Sequence, residues 1–248
     1  MRKFCLLTTG LSGSAALMDH FGSCEDIALP NKNIECRDNE LLRWDQLERH
    51  VSGYTLLLER LIPDQAGLID AFFAHNSEVD YAGFKAMPEH FRDFRAFLRR
   101  GDICFITLIR QDVPSTVANF MLAREKEIRR REGKEPRDLW IFDPAKADPM
   151  RGNIRYLFNS HLALSQVPEA IPLNYEDLCR PNFANKALDD FFGRPVALQN
   201  PQPPAVGSTY VDNWQEFNNF VRSEWGQLKE QLGRQVQLRR QQAGSAGE

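Results

Sequence analysis

The chain has 248 residues, enough for one α/β domain with insertions or at most two small domains. Hydrophobic residues make up 42% and charged residues 26%, the balance of a chain with an ordinary core and an ordinary surface. A formal net charge of −3 argues against a general nucleic-acid binder, yet leaves room for a local basic pocket around a small anion.

Residues 3–9 read as a buried strand, because "KFCLLTT" is an apolar run too short for a secretion signal. Residues 13–22 read as a helix, with Ala15, Ala16, Leu17 and Met18 as good helix formers. A short strand is expected near Asp26–Leu29. Apolar residues at helical spacing follow in "NELLRWDQLERHV", with further helices near 54–61 and 64–75, so that 41–75 is a helical insertion. "YAGFKAM" (81–87) reads as a strand and "PEHFRDFRAFLRR" (88–100) as one amphipathic helix, with Pro in its first turn and Arg in its last. "GDICFITLIR" holds a buried strand at 102–109, and a long helix runs from Asp112 to about Arg131. A helix at 152–166, a strand near 170–174, a helix at 182–192 ending at Gly193, a Pro-rich loop (195–208) and a C-terminal helix complete the chain. Residues 1–239 are expected to form a single domain, with a disordered tail at 240–248.

Strands alternating with helices predict an α/β fold, a three-layer sandwich around a parallel sheet of about four to five strands. No stretch approaches the ~20 apolar residues of a membrane span. The five cysteines are scattered without a CxxC pair, which suits free thiols in a reducing, cytoplasmic setting. Five histidines show no metal-ligand spacing, so no metal site is expected.

Four places could carry chemistry. The turn "TTGLSGSAA" joins the first strand to the first helix, where backbone N–H groups and the helix dipole favour anions. Thr9, Gly10, Leu11, Ser12, Gly13, Ser14 and Ala15 would form that cradle, although a capped helix after a tight turn uses the same residues. No GK[ST] follows, so nucleoside triphosphate hydrolysis is not supported. Arg110 stands at the C-terminal end of a buried strand, where open α/β sheets bind ligands, and Ser115 and Asn119 follow one helical turn apart. Lys85 interrupts an apolar strand. Tyr175 opens "YEDL", at a strand end running into a helix.

In their order these segments resemble the sulfotransferases that use 3′-phosphoadenosine 5′-phosphosulfate, closest to the bacterial carbohydrate branch of the trehalose and nodulation-factor type. The resemblance spans about residues 3–217. It rests on Leu11-Ser12-Gly13-Ser14, "GFKAMPEHFRDF", Arg110-Gln111-Asp112 with Asn119, "YEDL" at 175–178 and Asn213-Trp214. It implies a P-loop-like fold and transfer of a sulfuryl group to a hydroxyl of a carbohydrate or small molecule, leaving adenosine 3′,5′-bisphosphate, without a metal. The loop would hold the 5′-phosphosulfate. Arg110, Ser115, Asn119 and Tyr175 would complete the nucleotide site, and Glu35, with His20 and Glu25 behind it, would be the base. Leu11 departs from the pattern, since the family places Lys or Arg there to stabilise the leaving oxygen. Lys85 or Arg37 would then supply the cation, or the chain is a weakened or inactive nucleotide-binding module. An oligomer of identical chains is compatible with this reading.

Overall fold

The computed structural model describes residues 1–30, 41–42, 64–135, 137–180, 183–196, 209 and 211–245. Contacts group the chain into two compact units, one of Met1–Gln111 with Ser160–Pro204 and one of Asp112–Asn159 with Ala205–Glu248. The strands among the described residues are β1 (Arg2–Thr8), β2 (Ile27–Ala28), β3 (Tyr81–Ala86), β4 (Ile103–Ile109) and β5 (Ile171–Asn174). The helices among the described residues are α1 (Ser14–Gly22), α2 (Gln65–His75), α3 (Phe94–Phe97), α4 (Val113–Arg131), α5 (Asp148–Ser165), α6 (Tyr175–Leu178), α7 (Lys186–Phe192) and α8 (Trp214–Ser245).

The first unit is an α/β layer structure. Its five strands pair in the order β2-β3-β1-β4-β5, and every pairing is parallel. A parallel sheet covered on both faces needs strands that are apolar at consecutive positions. β1 shows why: Phe4 and Leu6 enter one cluster with Leu17, Met18 and Phe21 of α1 and Leu188 and Phe192 of α7. Cys5 and Leu7 enter the other, with Phe72 and Phe73 of α2 and Phe97 of α3. Phe4 is fully buried, and its ring fills the space where a side chain at position 83 would stand. A Cβ on Gly83 would lie 2.4 Å from it, so this close approach requires glycine. Truncating Phe4 would cost about 3–5 kcal/mol, the range for a large buried aromatic.

At the N-terminal edge of the same sheet the charges neutralise one another. Arg100 donates to both oxygens of Asp102, at 2.9 and 2.8 Å, and also pairs with Asp70 at 2.7 Å. Lys3 adds a 2.7 Å bond to Asp102. The Arg100 hydrogen bonds hold the Asp102 carboxyl well below the usual carboxylate range, against an opposing effect of burial.

One expected helix is not continuous. The segment 88–100 forms a 3-10 turn at Pro88–His90, an extended Phe91 and then the short α3. Gln65 explains the break, because its amide donates to the His90 carbonyl at 2.7 Å and accepts from the Arg92 N–H at 2.9 Å. Those backbone groups are satisfied from outside the segment, so helix continuation is not needed there. Phe91 is then free to stack on Phe97, with ring centroids 4.3 Å apart.

The second unit is helical. Val117 and Ala118 of α4, Met150, Ile154 and Leu157 of α5, and Phe217 and Val221 of α8 share one core with Phe142. Asn213, just before α8, ties down the segment that precedes α5: its side chain accepts from the Phe142 N–H at 2.8 Å and donates to the Phe142 carbonyl at 3.0 Å. α8 runs to Ser245, past the point where the sequence reading ends it. "LRRQQA" contains good helix formers and no proline, so nothing in its local chemistry stops the helix.

Candidate functional site

The strand order creates a topological switch point. From β1 the chain leaves toward β3 and β2, and from β4 it leaves toward β5 on the other side. Between connections that diverge in this way a crevice opens at the C-terminal edge of the sheet, the usual ligand position in open α/β folds. Thr8 and Leu108 face each other there in register, and the Thr8 hydroxyl bonds the Leu108 carbonyl at 3.1 Å.

The loop after β1 carries two residues in left-handed backbone conformations, Leu11 (φ 57°) and Gly13 (φ 81°). Gly13 is the N-cap of α1 and offers no side chain to its N–H groups. By contrast, Asp64, Asp93, Asp112 and Asn185 each accept a backbone N–H at the starts of α2, α3, α4 and α7. α1 also has no acidic residue in its first turn. The positive end of its dipole is therefore uncompensated by its own sequence. Ser12 is fully buried, and its hydroxyl is hydrogen-bonded to that of Thr8. Thr9 is 1% exposed, and its Oγ1 has no hydrogen-bond partner among the described residues. A buried hydroxyl left in that state costs about 1–3 kcal/mol, so the loop holds an unspent polar group beside an uncapped helix end.

Arg110 and Tyr175 close the site from the β4 and β5 side. Arg110 is 4% exposed, with its guanidinium carbon 5.6 Å from the centre of the Tyr175 ring. The same ring lies against Gly13, where a Cβ would come within 2.0 Å of Tyr175 Cε2. Three segments distant in sequence thus converge: the turn after β1, the end of β4 and the start of α6. Their outer rim is knitted by polar bonds. The Gln111 N–H donates to Glu176 at 3.1 Å, the Gln111 amide donates to Asn174 at 2.9 Å, and Asn174 donates to Asp177 at 3.1 Å. Burial, and then a hydrogen bond with Cys179, push the Tyr175 phenol up to about 12, so it stays protonated at neutral pH.

The remaining expected residues fall elsewhere or apart. Lys85 is 4% exposed near the end of β3, in register with Leu6 and on the sheet face that α1 covers. Ser115 and Asn119 lie on α4, in the second unit, and the Ser115 hydroxyl is given to the N-cap carboxylate of Asp112. His20 sits in the last turn of α1, ~9 Å along the axis from Ser14 at 1.5 Å per residue. Burial, and after it the positive Arg194, lower the His20 pKa. Glu35 and Arg37 lie outside the described residues. Thr8 was not among the expected site residues, although it positions Ser12. Its signal in the sequence is the second hydroxyl at the strand end, a choice an all-apolar strand would not make. Among the described residues no cluster of His, Cys, Asp and Glu could hold a metal ion, and no helix is long and apolar enough to cross a membrane.

Comparisons with family models, with curated proteins and with solved structures returned no match to this chain.

Proposed function

We propose that the chain is a transferase that binds 3′-phosphoadenosine 5′-phosphosulfate and passes its sulfuryl group to a hydroxyl of a carbohydrate or small-molecule acceptor. The observation that carries the reading is the loop after β1: an uncapped α1 N-terminus beside a buried, unpartnered Thr9 hydroxyl at the switch point. Tetrahedral oxyanions match that donor set. The parallel α/β sheet with its switch point beside the loop and the order of the sequence motifs support the nucleotide, and Arg110 and Tyr175 suit its phosphate and its ring.

Within this reading the α1 N–H groups and Thr9 bind the sulfuryl and phosphate oxygens, and Arg110 stabilises the anionic nucleotide. Lys85, near the C-terminal end of β3, remains the cation proposed for the leaving oxygen on sequence position. Glu35 remains the proposed acceptor base on sequence position alone, with His20 less suited by its place in α1.

Leu11 favours a second reading. It is 42% exposed at φ 57°, so an apolar side chain stands out from the loop where the resembling enzymes carry a cation. A nucleotide-binding module with little or no transferase activity fits that residue better.

Adenosine 3′,5′-bisphosphate tests the site directly. At about 100 times its Kd it should stabilise the chain by ~2.7 kcal/mol and raise the melting temperature by roughly 5–10 °C. No shift, or a larger shift with magnesium and ATP, would sink the proposal. Labelled sulfate transfer by wild type and Leu11→Lys separates the two readings, since a large rate gain marks a weakened enzyme and no transfer by either marks a binding module.

A further inference from the structure

The second unit carries a groove that the transfer reading does not use. Its cavity of about 620 Å³ lies between one face of α4 and the segment 137–149. Met121, Arg124 and Ile128 fall on that face because they are spaced three and four residues apart. Leu139, Trp140 and Ile141 form the opposing wall. Ile128, Leu139 and Ile141 are 40%, 46% and 64% exposed, an apolar concentration that water does not favour. Arg124 and Arg137 stand at this groove, and neither makes an ion pair or hydrogen bond among the described residues.

We propose that this groove binds a medium-chain amphiphilic monoanion, with an aliphatic body on Ile128, Leu139 and Ile141 and a carboxylate between Arg124 and Arg137. The chemistry of the wall selects the occupant. Branched aliphatic side chains and one indole suit an alkyl chain, and two arginines without partners suit a single anionic head. A concave site of this size suits a free ligand rather than a bilayer. With Glu125, Asp143 and Lys146 counted beside the two arginines, the lining carries one net positive charge, which matches a single monoanion rather than a densely anionic membrane surface. The proposal is independent of the transfer reading, because every residue in it belongs to the second unit.

The test uses the full chain and monomeric decanoate, with decanol as the uncharged control. Decanoate should bind saturably at one site per chain by calorimetry and change Trp140 fluorescence, a change absent from Trp140→Phe. Decanol should bind at least tenfold more weakly. Arg124→Gln combined with Arg137→Gln should weaken decanoate at least tenfold and leave decanol unchanged, while Leu139→Asp should abolish both. All these variants alter exposed or half-buried side chains, and unchanged melting temperatures confirm that they fold. Non-saturable binding, or binding untouched by these substitutions, overturns the proposal. So does a ligand-free dimer that Leu139→Asp dissociates, or co-sedimentation with phosphatidylserine vesicles that Leu139→Asp removes.

Discussion

The two ends of β4 each hold a partly or fully buried arginine, and they use it in opposite ways. At the start of the strand Arg100 is clamped between Asp70 and Asp102, with Lys3 closing the set. At its end Arg110 is more deeply buried, packs over an aromatic ring and lies beside a turn whose helix start has no side-chain cap. One edge of the sheet satisfies its charges internally. The other brings Arg110, stacked on Tyr175, together with the unpartnered Thr9 hydroxyl and a helix start that has no side-chain cap.

Substitutions at the two edges should therefore differ in kind. The largest effect is expected from Gly13→Ala, which forces an L-residue into φ 81° and drives a methyl into the Tyr175 ring. A loss of about 2–4 kcal/mol in urea unfolding is expected, with loss of nucleotide binding. Little change in either would mean that the close Gly13–Tyr175 approach does not shape the site. Arg110→Ala should weaken adenosine 3′,5′-bisphosphate by about 10–100-fold, the range for one charged hydrogen-bonding group of ~1.5–3 kcal/mol. Isothermal titration reads it, and unchanged affinity would make the arginine a packing residue like any other.

Thr9→Val sharpens the contrast further. It removes an unpartnered buried hydroxyl while keeping the shape, so the ligand-free chain should gain about 1 kcal/mol as its nucleotide affinity falls. A loss of stability instead would show that the hydroxyl already has a structural role. The smallest effect belongs to the other edge. Asp102 has a folded-state pKa below its unfolded value of about 3.9, so its ion pairs stabilise the chain above that pH. Their contribution is lost as pH falls through the lower, folded-state value. With 43% of the carboxylate side chain exposed, Asp102→Asn should cost only ~1 kcal/mol at pH 7 and nothing once Asp102 is protonated. Nucleotide affinity should not change.

Much of this architecture was legible in the residues themselves. β1, β3 and β4 are apolar at consecutive positions, which marks strands buried on both faces, and their limits fell within two residues of the expected ones. The turn at 9–15 and Arg110 were legible because glycine, hydroxyls and a strand-end arginine are unusual in those places. The break in 88–100 was not legible, since its cause is Gln65, a side chain from a different helix. Nor does periodicity show that Tyr175 would cover Gly13. That contact depends on β5 lying beside β4, which sets where α6 begins. Ser115 reads as a phosphate ligand by type and position, but its hydroxyl serves the helix cap, a use that competes with any other.

The strand order also dictates when the sheet can exist. β1 is central, yet it pairs only with β3 and β4, which follow it by most of the first unit. During synthesis, "FCLL" emerges before both of its strand partners and can pair with neither until Tyr81–Ala86 and then Ile103–Ile109 have left the ribosome. Closing loops of that length before any pairing is rewarded slows folding. In that interval the nascent chain carries an unpaired strand with an apolar centre, Phe4–Leu7, the kind of segment that chaperones are built to hold.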